Sequence, residues 1–140
     1  MHVFGAAQMV TFLRDPIQRA ASEYHHFVRH HDYDGDFPSF YRRPQFVNRL
    51  SKVLARVPLE AFGFVGLTED YEVSLELLNS RFGTKIESSV MNVGRSDNSE
   101  AYDIPGEQLE ELKKLNQQDI RLYKHGVKLL RKRRQLHQKE

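Results

Sequence analysis

Residues 11–24 read TFLRDPIQRAASEY, and the reading of this stretch decides the fold. Met9 to Leu13 form an apolar, strand-like run; Arg14-Asp15-Pro16 then leads into a segment with helical periodicity. Asp15 suits the N-cap, Pro16 suits the first helical position, and Gln18 stands where a capping box places its Glu or Gln. A strand that ends at a helix N-terminus offers backbone N–H groups and the positive end of a dipole to an anion. Arg14 would sit at the mouth of that turn.

The helix phase extends the argument. Ile17, Ala20, Ala21, Tyr24 and Val28 recur at three- and four-residue steps and are expected to face a core. Gln18, Arg19, Ser22, His26 and Arg29 then fall on the polar side. Helical side chains lean toward the N-terminus, so Ser22 is aimed back toward Arg14. A guanidinium fork with a hydroxyl suits a phosphate. The same residues also read as loop punctuation and a solvated helix face.

The pattern Arg-Asp-Pro-x-x-Arg-x-x-Ser-x-Tyr after an apolar strand resembles the 3′-phosphate-binding segment of sulfotransferases that use 3′-phosphoadenosine 5′-phosphosulfate (PAPS). Its flavour is that of the carbohydrate enzymes of the heparan sulfate 2-O-sulfotransferase type. The resemblance implies that Arg14 and Ser22 hold the cofactor's 3′-phosphate, with Arg19 as a further candidate. It implies a P-loop-NTPase-like three-layer α/β/α fold, here mostly helical with two parallel strands. It also implies a PAPS or PAP ligand and a carbohydrate acceptor.

A second apolar run, Phe62 to Leu67, precedes Thr68, a candidate N-cap, and Glu69, Asp70 and Glu72 load the next first turn. Tyr71, Leu75, Leu78 and Phe82 form the expected buried stripe, and Gly83 closes it. FVGLTEDYEVSLELL resembles the strand-to-helix segment that follows the Arg-Asp-Pro motif in the same family. Between the two strands, Pro44 to Val57 carries Phe46, Leu50, Val53, Leu54 and Val57 at helical spacing and is expected to be one packing helix that Pro58 stops. Arg42 and Arg43 before it are expected to be solvated, with contact to an acidic ligand as the alternative.

Residues 84–106 are polar, without clear periodicity, and of a length that points to a functional or mobile loop. The resemblance places such a loop over the cofactor's adenosine and 3′-phosphate, which makes Asn92, Arg95 and Ser96 candidates. From Pro105 the chain turns helical, with Leu109, Leu112, Ile120, Tyr123, Val127 and Leu130 on one face. The run Leu115 to Tyr123 resembles the family's closing helix, in which a polar-Asp-x-x-aromatic run docks against the core.

Composition narrows the classes. The chain has 140 residues, 39% hydrophobic and 29% charged, and is expected to form a single domain resembling the C-terminal half of a sulfotransferase domain. No cysteine is present, which excludes disulfides and thiolate chemistry but leaves the compartment open. The family includes Golgi-lumenal and bacterial cytoplasmic enzymes. No apolar run is long enough to span a membrane. His26 and His30 share a helical face, but with Asp32, Asp34 and Asp36 they read as a helix end passing into a polar loop, so no metal site is assigned. Gly83-Thr84-Lys85 follows a helix instead of a strand and is not read as a phosphate loop.

Two features of the complete enzymes, a glycine-rich 5′-phosphosulfate loop and a catalytic base, lie upstream of the Arg-Asp-Pro motif and are not visible in these residues, so no catalytic residue is assigned. Two strands cannot satisfy their own edges, and a homo-oligomer or a partner chain is one source of the missing ones. The alternative function is a non-catalytic nucleotide- or sulfated-glycan-binding module derived from a truncated sulfotransferase. A nucleic-acid binder using Arg131 to Arg134 is a third class; the net charge of +2 argues against it.

Overall fold

A computed structural model describes residues 9–87 and 101–138. The chain is a mostly helical α/β protein with a two-stranded parallel sheet. In order it runs β1 (Val10–Leu13), α1 (Pro16–His30), α2 (Phe37–Tyr41), α3 (Arg49–Val53), β2 (Phe64–Leu67), α4 (Tyr71–Phe82), α5 (Gly106–Leu115) and α6 (Gln117–Gln138). The described residues divide into two compact units, one built from residues 9–14, 56–87 and 124–138, the other from 15–55 and 101–123.

The first unit holds the sheet. Val10 pairs with Phe64, Thr11 with Val65, Phe12 with Gly66 and Leu13 with Leu67. All four residues of β2 are buried, which is why it reads as a continuous apolar run and not as an alternation. Gly66 is required there: a Cβ would fall 2.6 Å from the Phe12 ring and 2.9 Å from that of Phe64. Leu75 and Leu78 bury one face of α4, and Gly83, at φ 66°, ends the helix with its N–H donated to Asn79 O. Tyr71 and Phe82 are only half-buried, so the expected stripe is narrower than its spacing indicates. Thr68 is not the cap. It opens a 3₁₀ turn, Thr68–Asp70, and Ser74 bonds back to the strand end, with Leu67 N donating to its hydroxyl at 3.0 Å.

In the second unit Ile17, Ala20, Tyr41 and Leu112 form a core, with Phe37, Ile104, Leu109, Leu115 and Ile120 packed against it. Phe40 and Phe46 stack beside Phe27, centroids 4.3 Å apart. Gln18 does not close a capping box. Its amide instead pairs with the backbone of Tyr102, donating to O at 3.0 Å and accepting from N at 2.7 Å. A side-chain amide thus acts as a short strand partner for a segment 84 residues away.

The stretch from Pro44 to Val57 is not one helix. A 3₁₀ turn over Pro44–Phe46 stops at Val47, Asn48 adopts the left-handed region at φ 48°, and α3 then runs for five residues only. Val53, expected in the core, is 72% exposed. Arg42 and Arg43 are engaged within the unit: Arg42 forms a two-point pair with Glu111 at 2.5 and 2.8 Å, and Arg43 lies over the Tyr33 ring.

Candidate functional site

Arg14 follows β1 directly and belongs to the sheet unit. Its side chain is 31% exposed, and among the described residues its ionic neighbour is Glu69, with Nε 3.8 Å from Oε2. Nε itself is buried without a hydrogen-bond partner among the described residues. A buried guanidinium N–H with no acceptor is uncommon, because its desolvation is then uncompensated. Glu69 is too distant for a hydrogen bond and serves as a counter-charge.

The second unit starts with the cap of α1. Asp15 Oδ1 accepts from Ile17 N at 2.8 Å and Gln18 N at 3.3 Å, Arg19 N donates to Asp15 O at 2.8 Å, and Pro16 has no N–H. The helix N-terminus therefore has its donors filled by its own cap. This corrects the expectation of open backbone N–H groups at this turn: any anion here must be met by side chains. Ser22 lies half-buried two turns on.

Arg19 is fastened inside the second unit. Nη1 donates to Glu23 Oε1 at 2.8 Å, Nη2 to Phe46 O at 3.3 Å and more loosely to Asn116 Oδ1 at 3.5 Å, and Asp119 lies 3.9 Å away. Around it, Asn116 and Asp119, both fully buried, organise the 48–51 turn. Asp119 accepts from Leu50 N, Ser51 N and Ser51 Oγ at 3.1, 2.7 and 2.6 Å. Asn116 Oδ1 accepts from Asn48 N, and Asn48 Oδ1 accepts from Asp119 N. A carboxylate supplied by α6 thus caps α3, whose own preceding residue makes no side-chain cap bond. Sequence reading marked Asp119 as a docking residue but missed its partners; the signal was Asn48, the one residue of an apolar run that tolerates the left-handed conformation.

Tyr41 donates to the same Glu111 that holds Arg42, at 2.7 Å. Burial first, and then that hydrogen bond, push its pKa up to about 12. Arg42 and Tyr41 in turn hold the Glu111 carboxyl below its usual range. This cluster ties α2 to α5 and carries no open valence for chemistry.

The structure therefore places Arg14 in one unit and Arg19 and Ser22 in the other, while Asn92, Arg95 and Ser96 lie outside the described residues. Among the described residues no three His, Asp or Glu side chains converge on a metal position. No helix among them is long and apolar enough to cross a membrane. No protein-family model, curated protein or solved structure matches the chain.

Proposed function

We propose that this chain supplies the 3′-phosphate-binding part of a PAPS-dependent sulfotransferase site, serving sulfuryl transfer to a carbohydrate hydroxyl, and that its sheet is part of a larger three-layer α/β/α arrangement. The observation that carries the reading is Arg14: a partly exposed guanidinium immediately after a parallel strand, whose ionic partner among the described residues, Glu69, stands 3.8 Å away. Its Nη groups, unlike those of Arg19, have no internal hydrogen bond among the described residues. Further support comes from the order along the chain, in which the Arg-Asp-Pro turn precedes the strand-to-helix run of β2 and α4.

When bound, the cofactor supplies the sulfuryl group. Arg14 would balance the charge of the 3′-phosphate and give Nε its missing acceptor. Ser22, which belongs to the second unit, stays a candidate from the resemblance alone. Arg19, with both Nη groups bonded internally, is assigned to the fold. The capped N-terminus of α1 leaves these side chains, and not backbone N–H groups, to do the binding.

The test is calorimetric titration of adenosine 3′,5′-bisphosphate into wild type, Arg14→Ala and Ser22→Ala. Loss of one charge-assisted contact in Arg14→Ala is expected to weaken binding by about 1.5–3 kcal/mol, and Ser22→Ala serves as the comparison in the other unit. Equal affinity in wild type and Arg14→Ala overturns the reading. Sulfate transfer from PAPS to a glycan by the same protein would separate an enzyme from a binding module.

A further inference from the structure

The second unit contains an open groove of about 470 Å³ between α1 and α3. One side carries two guanidinium groups and the Glu23 carboxylate. Arg19 and Arg49 line it and share a single carboxylate, Glu23, each donating from Nη1 at 2.8 Å to a different oxygen. The second carboxylate near Arg19, Asp119, is fully buried and already accepts three hydrogen bonds from the 50–51 segment. Arg19 Nε is buried with no hydrogen-bond partner among the described residues. Arg49 is 49% exposed, and among the described residues Glu23 is the hydrogen-bond partner of its guanidinium. The exposed imidazoles of His26 and His31 add two more ring N–H positions along the groove. The other side is apolar, formed by Phe27, Leu50 and Val53.

We infer that this groove is a binding site for a small oxyanion, carboxylate or phosphate, carried on a flat apolar body. The body lies on Phe27 and Leu50 beside the exposed Val53, and the anion takes the N–H groups of Arg49 that Glu23 leaves open. A planar guanidinium fork favours a two-oxygen partner over a point charge, so an oxyanion fits better than a halide. The short α3 is held in place by Asp119 through its backbone, so the groove wall does not depend on the ligand for its shape. The site is separate from the nucleotide reading, and its outcome leaves that reading untouched.

The experiment is a two-dimensional amide NMR titration of the full chain with phenyl phosphate and with benzoate, which distinguish the two anions on one body. Saturable shifts at Leu50, Ser51 and Val53 are expected from at least one of them at concentrations up to about 10 mM, and Arg49→Ala is expected to weaken that binding about tenfold. Val53→Asp, at a position 72% exposed and thus harmless to the fold, sets a negative charge on the rim and is expected to weaken it similarly. The absence of shifts at residues 50–53 with both ligands overturns the proposal. So does binding that neither substitution changes.

Discussion

Arg14 and Arg19 stand five positions apart in one motif, yet their surroundings have little in common. Arg19 is 14% exposed and tied through both Nη groups to Glu23, to the Phe46 carbonyl and to Asn116, with the buried Asp119 nearby. Arg14, at the end of a strand, is 31% exposed and has a carboxylate at 3.8 Å. The difference teaches that a motif arginine is not functional by virtue of the motif. Both arginines retain a buried Nε without an acceptor among the described residues, so the contrast lies in the rest of the guanidinium. The Nη groups of Arg19 are bonded internally and hold the fold, whereas the partner of Arg14 among the described residues is a carboxylate at ion-pair distance.

That contrast can be broken most readily at Asp119. Replacing it with Ala removes the acceptor for two backbone N–H groups and one hydroxyl and takes a counter-charge from Arg19. Urea denaturation is expected to show a loss of about 3 kcal/mol. A loss below about 1 kcal/mol would mean that the cluster around Arg19 does not hold the fold, and the contrast with Arg14 would collapse.

In the sheet unit the corresponding structural constraint is steric. Gly66→Ala forces a methyl against the rings of Phe12 and Phe64, and a cost of about 1–3 kcal/mol is expected by the same measurement. A neutral or stabilising effect would show that these rings yield and that the β1–β2 pairing is looser than its register implies.

Tyr41→Phe probes the second unit more gently, with an expected loss of about 1 kcal/mol at neutral pH. Because the folded-state pKa of Tyr41 is raised to about 12 above an unfolded value of about 10, its proton-linked stabilisation is complete below pH ~10 and disappears as pH rises toward ~12. The stability gap between wild type and Tyr41→Phe should therefore narrow across that alkaline window. A constant gap would mean that burial and Glu111 do not hold the phenol proton.

The smallest effect on stability is expected for Arg14→Ala, under about 1 kcal/mol, since a half-exposed ion pair at 3.8 Å contributes little. Arg19→Ala should cost distinctly more. Equal costs by urea denaturation would erase the distinction between the two arginines.

The two strands and the start of α1 were legible because their causes are local. The apolar run of β2 marks a strand buried along its whole length, and Asp15-Pro16 marks a helix start; β1, expected to be buried on both faces as well, is buried only at Leu13. What stayed hidden depended on partners far along the chain. The amide of Gln18 had a local role available, and it is the backbone of Tyr102 that claims it instead. The break at Asn48 is fixed by Asn116 and Asp119, about 70 residues downstream, and no local periodicity encodes that. Of the candidate site, the sequence offered Arg14, Arg19 and Ser22 as candidates for a phosphate. That the α1 N-terminus is closed by its own cap, and that Arg19 is bonded internally, emerged only from the geometry.

The most direct test of the central claim compares adenosine 3′,5′-bisphosphate with adenosine 5′-monophosphate on wild type and Arg14→Ala by calorimetry. The account predicts that wild type prefers the bisphosphate by about tenfold or more and that the preference disappears in Arg14→Ala while binding of the monophosphate is retained. The same affinity for both nucleotides in wild type, or a preference that survives the loss of Arg14, would contradict it.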